Sequence, residues 1–406
     1  MRVRTLLPLV LAQFLSSLAD NALLIVAIGL LMSRHAPDWM TPALRLVFYL
    51  SYVLLAAVAG AVADAVPKGR VMLVTNLVKL GGCAMLLWHW PPLVAYGLVG
   101  LGAAAYSPAK YGILPELLPP EQLVMANGWI EGSTVLSILL GVALGGALVD
   151  TREALPALGA VYLLAALAAL AIPHSPLRHR AALAFRSPLL RGFGQSLSGL
   201  WRDPQARLSL SVTSLFWAAS AVLQFIVLRW AAEQLGLPLA QGALLQIAVA
   251  VGMVGGAIGA ARLIPLARAA DTLPLGLTLG FGVLLLPLIN QVILAAALLA
   301  VVGALAGLML VPMNALLQSR GLLLMRPGQS IAAQNFCESM ASLLSLAGYG
   351  LLVFVKAPLL PTVAGFGVLL MLIVAGLMAS RGGLTKCGAN RHVGRAVESE
   401  DRRGEN

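Results

Sequence analysis

The sequence predicts an all-α integral membrane protein, and three observations support this fold class. Of its 406 residues, 60% are hydrophobic and only 11% are charged, whereas roughly 25% of the residues in a soluble globular domain are charged. The apolar residues fall into twelve segments of the length that a helix needs to cross a bilayer. The Lys and Arg residues concentrate in alternate connections between these segments, as in a multi-pass protein.

The twelve apolar segments divide into two groups of six around a polar connection. We expect each segment to form one membrane-spanning helix, and we call them spans 1 to 12 in chain order. They cover residues 6–33, 43–66, 71–90, 92–114, 122–149, 154–173, 208–231, 240–264, 273–290, 291–317, 329–354 and 359–380. Span 1 is too long for the apolar core of a signal peptide, and no small-residue cleavage site follows it, so we expect it to be retained.

Charge in the connections predicts the orientation in the membrane. With the N-terminus inside, 20 of the 27 Lys and Arg residues lie in inner connections and termini, and four lie in outer ones. Positively charged loops stay on the cytoplasmic side, so we expect both termini to be cytoplasmic. The net charge of +11 is then a consequence of topology and does not indicate nucleic-acid binding.

These features predict four regions along the chain. They are an N-terminal six-helix half at 1–173, a cytoplasmic loop at 174–207, a C-terminal six-helix half at 208–380 and a polar cytoplasmic tail at 381–406. Within the loop, Leu190, Phe193, Leu197, Leu200 and Trp201 fall at helical spacing. This spacing favours a short amphipathic helix on the inner membrane face; an ordinary linker is the alternative.

The two halves repeat each other in sequence. Span 5 carries Asn127 and Glu131, and span 11 carries Asn335 and Glu338, with the two glutamates in the same register. Internal repeats of this kind are typical of secondary transporters. A pseudo-symmetric pair of six-helix halves joined by a cytoplasmic loop indicates the major facilitator fold.

The connection between spans 2 and 3 carries a recognisable motif. Residues 60–70 read GAVADAVPKGR and resemble the GxxxD-x4-GR signature of the major facilitator superfamily. We expect Gly60 to allow a close helix approach, Asp64 to bind charge or helix-terminal N–H groups, Gly69 to make the turn and Arg70 to donate hydrogen bonds. The resemblance implies a gate latch between the halves; a cytoplasmic turn with solvated charges is the alternative.

Ionisable residues inside the spans are the candidate site residues. A charge in the hydrocarbon region is costly, so it should face the bundle interior or a wet cavity. The set consists of Asp20, Lys79, Glu131, Arg229 and Glu338, with Lys110 near the inner end of span 4. Each has a structural alternative, such as an ion pair or, for Lys79, extension toward the inner surface. Together they suit a zwitterionic ligand, because carboxylates hold an ammonium and Lys or Arg holds a phosphate.

Longer runs make the resemblance more specific. The stretches 13–24, 102–114 and 311–318, with Thr213 to Trp217 and Gln334 to Glu338, resemble the bacterial lysophospholipid transporter (LplT) family. This resemblance implies facilitated movement of lysophospholipid, chiefly lysophosphatidylethanolamine, across the inner membrane, where a separate acyltransferase re-acylates it. It also implies a polar cavity role for Asp20, Lys110 and Glu338. We add Asn21, Glu131 and Asn335 as further candidates for this cavity.

One departure from the family pattern concerns span 7. Family members tend to have an arginine in a Leu-Arg-Phe context, whereas this chain has Gln224, and its arginine is Arg229. Five residues correspond to about 500° of helical rotation, so the two positions face different directions. Either Gln224 faces the cavity with less charge, or Arg229 takes the role with Asp20 or Glu338 as its partner; we favour Arg229.

Other function classes are less consistent with the sequence. A proton-coupled permease or drug exporter, with Asp20 or Glu338 as proton carrier, is the main alternative. The sequence has no HExxH, GxSxG or P-loop motif, so we do not expect an enzyme, and we expect no metal or cofactor. We also expect the small-residue stretches at 141–146 and 252–259 to form a lateral opening between the halves, through which an acyl chain leaves.

Overall fold

The structure, a computed structural model, describes residues 3–37, 39–173, 189–237 and 239–380. Within these ranges the chain is helical, which confirms the predicted all-α class. The helices are α1 (Val3–Ser33), α2 (Met40–Ala65), α3 (Lys68–Leu87), α4 (Pro92–Gly112), α5 (Leu114–Leu117), α6 (Pro120–Leu148), α7 (Ala154–Leu170), α8 (Leu189–Arg202), α9 (Pro204–Glu233), α10 (Leu239–Leu263), α11 (Pro274–Leu285), α12 (Val292–Leu324), α13 (Pro327–Phe354) and α14 (Leu359–Ser380).

Each predicted span overlaps a helical segment of the structure. Among the described residues, ten helical segments are long and apolar enough to cross a membrane, and α11 does so together with the 3-10 turns that flank it. Spans 4 and 6 correspond to α4 and α7, which lie outside that group; α7 has only 17 residues. The number of twelve crossings and the cytoplasmic position of both termini therefore remain predictions.

Helices inside each half pack with their backbones in contact. At Gly141 of α6, an added Cβ would lie 2.6 Å from the Leu18 carbonyl oxygen of α1. At Gly252 of α10, an added Cβ would lie even closer to the Ala300 carbonyl oxygen of α12. Small residues permit such contacts between membrane helices. The stretch 252–259 also meets the opposite half, where an added Cβ on Gly128 of α6 would lie 2.9 Å from the Ala257 carbonyl oxygen of α10. The expected lateral opening between the halves stays a prediction.

The loop helix α8 packs on protein through much of its apolar face. Leu200 is buried, and the Phe193 ring meets the Phe336 ring of α13 edge-on with a centroid distance of 5.5 Å. Leu190 and Trp201 remain exposed. The predicted amphipathic helix thus covers the ends of α9 and α13 and leaves only part of its apolar surface for lipid. Residues 174–188 and the predicted tail at 381–406 lie outside the described residues.

Candidate functional site

A chain of hydrogen bonds crosses from the N-terminal to the C-terminal half. Glu131 Oε1 of α6 accepts from the Tyr111 hydroxyl of α4 at 2.7 Å and from Asn314 Nδ2 of α12 at 3.1 Å. Gln334 Nε2 of α13 donates to Asn314 Oδ1 at 2.8 Å and to Glu338 Oε1 at 2.7 Å. We call these five residues the central network. It links the two repeat-related glutamates, Glu131 and Glu338, through neutral amides.

A pair of amides lies one helical turn from the central network. Asn127 Nδ2 donates to Gln318 Oε1, and Gln318 Nε2 donates to Asn127 Oδ1, both at 2.8 Å. Both side chains are buried. Asn127 precedes Glu131, and Gln318 follows Asn314, by four residues, so each pair shares a helix face. This amide pair joins the halves through α6 and α12.

Lys110 lies beside the central network. Its Nζ is 4.1 Å from the centroid of the Tyr111 ring, and the residue is only 8% exposed. Among the described residues Lys110 forms no ion pair, and neither Glu131 nor Glu338 does. A cation and two carboxyl groups therefore lie around one site without a direct ion pair between them. On α13, Asn335 Nδ2 donates to Ser107 Oγ of α4 at 2.9 Å, which places this predicted residue at the same junction.

Asp20 belongs to a separate cluster within the N-terminal half. Its carboxylate accepts from Lys79 Nζ of α3 at 2.6 Å and from the Tyr162 hydroxyl of α7 at 2.8 Å. Lys79 is 2% exposed and also donates to Ser16 Oγ at 2.9 Å. Among the described residues, Asp20 forms no hydrogen bond or ion pair with its predicted partners Lys110, Glu338 and Arg229, although its charge acts on Lys110 at longer range. A nearer cation on α3 satisfies the carboxylate first.

Asn21, next to Asp20, donates its side-chain N–H to the Ser17 carbonyl of its own helix at 2.8 Å. Tyr162 is the residue of this cluster that the sequence analysis did not single out. Lys79 was a candidate, with extension toward the inner surface as its alternative; its ammonium is instead held inside the bundle. Lys79 follows Asn76, another buried polar residue, by three residues. Two polar residues at this spacing share a helix face, and this could have predicted that the face of α3 points into the bundle.

Neither span 7 candidate joins the central network. Arg229 Nε donates to Glu233 Oε1 at 2.6 Å and Nη2 donates to the Ala357 carbonyl at 3.2 Å. The expected pairing with Asp20 or Glu338 is wrong, because an acid one turn away on the same helix satisfies the guanidinium near the end of α9. Gln224 Oε1 accepts from Arg45 Nη1 of α2 at 3.3 Å. Gln224 therefore meets an arginine from the opposite half.

Two residues of the motif at 60–70 bind the start of α13 at one end of the interface between α2 and α13. Asp64 Oδ1 accepts from Gly328 N at 2.7 Å and Oδ2 accepts from Gln329 N at 3.0 Å. These are the first turns of α13, where free N–H groups and the helix dipole favour an anion. At Gly60, an added Cβ would lie 3.0 Å from Gln329 Cα. Asp64 and Gly60 thus join the halves in the way expected of a latch.

The other two motif residues lie elsewhere. Gly69 lies in the first turn of α3, and an added Cβ would be 3.0 Å from the Ala169 carbonyl oxygen of α7. The expectation that Gly69 makes the turn is wrong, because Val66 and Pro67 connect α2 to α3 in extended conformation. Arg70 is exposed. Lys68, between them, pairs with Glu116 at 2.5 Å.

Another ion pair lies at the start of α9, outside the spans. Asp203 caps α9 by accepting from Ala206 N at 2.8 Å, and Arg320 of α12 binds its carboxylate. Partial burial works to raise the pKa of Asp203, but the hydrogen bonds from Arg320 and Ala206 outweigh it and lower the pKa below its usual value. The C-terminal half therefore has its own charged contact near the start of α9.

Replacing Asp64 with asparagine should loosen the latch. The neutral side chain loses its attraction to the α13 N-terminus, which is worth up to about 2 kcal/mol in a partly buried site. A cysteine at Ala332, which is buried against Gly60, should then react faster with a membrane-permeant maleimide, in a background without the three native cysteines. Asp150→Asn, at an exposed carboxylate after α6, is the control. Equal alkylation rates in all three proteins would contradict the latch.

In the described part of the chain, no group of three or more His, Cys, Asp or Glu side chains is placed so that it could hold a metal ion. The arrangement of the central network instead fits a ligand that carries both an anionic and a cationic group. Lys110 can bind the anionic group. Glu131 and Glu338 can accept hydrogen bonds from the cationic group.

Comparison with known proteins gives consistent results. The model of the Major Facilitator Superfamily matches residues 9–346. The lysophospholipid transporter LplT of Enterobacter sp. (strain 638) is 43% identical over 90% of this chain and 93% of the relative. LplT of Serratia proteamaculans is 42% identical over 86% and 89%, and LplT of Escherichia coli O7:K1 is 42% identical over 91% and 94%.

Solved structures share the fold at low sequence identity. The human organic anion transporter MFSD10 superposes with a TM-score of 0.76 at 18% identity, over 92% of this chain and 99% of that one. A bacterial homologue of the iron transporter ferroportin, in an outward-facing state, gives 0.70 at 18% identity, over 93% and 100%. At this level of identity the match concerns the helical architecture alone.

Proposed function

Because this chain belongs to the lysophospholipid transporter (LplT) family of the major facilitator superfamily, we propose that it carries lysophospholipids across the membrane. The substrate is chiefly lysophosphatidylethanolamine, moved from the outer to the inner leaflet of the bacterial inner membrane. A separate acyltransferase on the cytoplasmic side then restores the second acyl chain. Movement is facilitated and needs no ion gradient.

The observation that carries this proposal is the charge pattern at the junction of the halves. Among the described residues, Lys110 makes no direct ion pair with a carboxylate, and neither Glu131 nor Glu338 makes one with a cation. Ionised groups inside a protein are normally paired, so a ligand with both charges would complete the site. A phosphoethanolamine head group has a phosphate for Lys110 and an ammonium for the two glutamates.

The contacts between the halves support a rocking mechanism. Asp64 joins α2 to α13, and the pair of Asn127 and Gln318 joins α6 to α12. In alternating access, such contacts break as one half turns against the other around the bound substrate. With both termini cytoplasmic, as the Lys and Arg distribution predicts, these contacts close the inner side. The structure then corresponds to a state that accepts substrate from outside.

Uptake of two labelled lysolipids by proteoliposomes tests the proposal. Wild-type protein should move lysophosphatidylethanolamine inward, with the same rate in the presence of an uncoupler. Glu338→Gln keeps the size of the side chain and its bond to Gln334 but removes the charge. It should lower uptake of lysophosphatidylethanolamine about tenfold, which is the loss expected for a hydrogen bond to a charged group.

Two comparisons make this test specific. Lysophosphatidylglycerol lacks the ammonium, so its uptake should change little in Glu338→Gln. Glu153→Gln, at an exposed position, should transport both lipids like the wild type. Uptake that is absent in the wild type would refute the function, and uptake that collapses with the uncoupler would favour a proton-coupled permease.

A further inference from the structure

An apolar cavity lies inside the C-terminal half, apart from the central network. It has a volume of about 620 Å³, counting the space at its mouth, and α9, α10, α11, α12 and α14 line it. Ser220 is the single polar side chain among its fifteen lining residues. The other residues include Phe216, Ala219, Leu223 and Ala306. Apart from Ser220, the lining offers no polar side chain to a polar group, but it suits a hydrocarbon chain.

The cavity is next to the central network on two helices. On α9, the Thr213 side chain forms a hydrogen bond with Glu338, and Phe216 follows after three residues, about 60° around the helix and about 4.5 Å along it. On α12, Ala306 precedes Asn314 by eight residues, about 80° around and about 12 Å along the helix. A molecule with its polar end at the central network can therefore reach the cavity around α9 and α12.

Both displacements point toward the same end of the bundle. Cavity residues follow Thr213 on α9 and precede Asn314 on α12, and these helices run in opposite directions. The cavity therefore lies on the side of the central network where α9 ends at Glu233. With the predicted orientation, this is the outer side. A lysolipid bound at both places would have its head group toward the cytoplasm and its chain toward the outside.

We propose that this cavity binds the single acyl chain of the transported lysolipid. The inference rests on the proposed function, since it assigns a place to the second part of the same substrate. A chain held inside one half moves with that half and does not hold the two halves apart during rocking. The bound lipid would already have the orientation of an inner-leaflet lipid, so inversion occurs on binding and release completes the transfer.

Filling the cavity tests this assignment. Ala219→Phe and the milder Ala219→Leu place extra side-chain volume in the cavity, whereas Val251→Phe changes an exposed position on α10. Uptake of lysophosphatidylethanolamine with a 16-carbon chain should fall about tenfold relative to an 8-carbon chain in Ala219→Phe, as if about two methylene groups were excluded. The ratio should fall less in Ala219→Leu and stay at the wild-type value in Val251→Phe.

A second measurement does not depend on the variants. A lysolipid with a photoreactive diazirine at the end of its chain should label peptides of α9 and α12 in the wild type, and an excess of unlabelled lysolipid should reduce this labelling. Labelling confined to lipid-exposed positions, or a chain-length ratio that is unchanged in a folded Ala219→Phe protein, would overturn the cavity assignment. If the wild type moved no lysolipid of either length, the proposed function itself would fail.

Discussion

Asp20→Asn is expected to destabilise the protein by about 3–5 kcal/mol, the usual cost of removing one partner of a buried ion pair. Asp20 binds Lys79, which is 2% exposed and lies within the N-terminal half. Without the carboxylate, the Lys79 ammonium loses its counter-charge and keeps neutral neighbours, among them Ser16 and the face of the Tyr106 ring. This prediction is tested by comparing the free energies of unfolding of the variant and the wild type in detergent micelles.

The double variant Asp20→Asn with Lys79→Met separates structure from transport. Removing both charges restores most of the stability, because no buried charge is left unpaired. Arg229→Met with Glu233→Gln is the matched control; this pair is more exposed, and exposed pairs contribute about 0–1 kcal/mol. If Asp20→Asn were as stable as the wild type, the pair would not be structural. If the stable double variant failed to transport, Asp20 would have a role in the cycle as well.

Lys110→Gln is expected to abolish most uptake without harming the fold. A hydrogen bond to a charged group is worth about 1.5–3 kcal/mol, so losing the phosphate contact should reduce uptake roughly 10- to 150-fold. Both lysophosphatidylethanolamine and lysophosphatidylglycerol should be affected, since both carry the phosphate. The unfolding free energy should stay constant or rise, because the buried ammonium makes no direct ion pair with the described residues of the unliganded protein.

Lys356→Gln is the control for this variant, since Lys356 is an exposed residue in the connection before α14. It should transport and unfold like the wild type. A Lys110→Gln protein that transported both lipids normally would remove Lys110 from the phosphate site. A large fall in its stability would instead indicate that the lysine has a structural role.

The sequence predicted the positions of the spans and several site residues, because these follow from local patterns. Apolar length places the helices, and the shared register of Glu131 and Glu338 places both glutamates in one network. Arg229 and Glu233 show a local signal that was missed, since a spacing of four residues on a helix favours pairing. The position of Glu233, four residues after Arg229, indicated from the sequence that Arg229 could pair locally and not in the cavity.

Contacts between distant helices were not predictable in the same way. The pairing of Asp20 with Lys79 depends on how α1, α3 and α7 pack, and no spacing in the sequence encodes that arrangement. The same holds for Gln224 and Arg45, which come from opposite halves. The glycines at 141 and 252 gave the correct signal for close helix approach, but their partners lie within one half.

The amide pair of Asn127 and Gln318 has a consequence for the response of the protein to voltage. Moving one elementary charge through the membrane potential changes the free energy by about 2.3 kcal/mol per 100 mV. Both partners of this contact are electrically neutral, and they satisfy each other through two 2.8 Å hydrogen bonds. Their separation transfers no charge through the field. A de-energised cell would therefore open this contact as readily as an energised one.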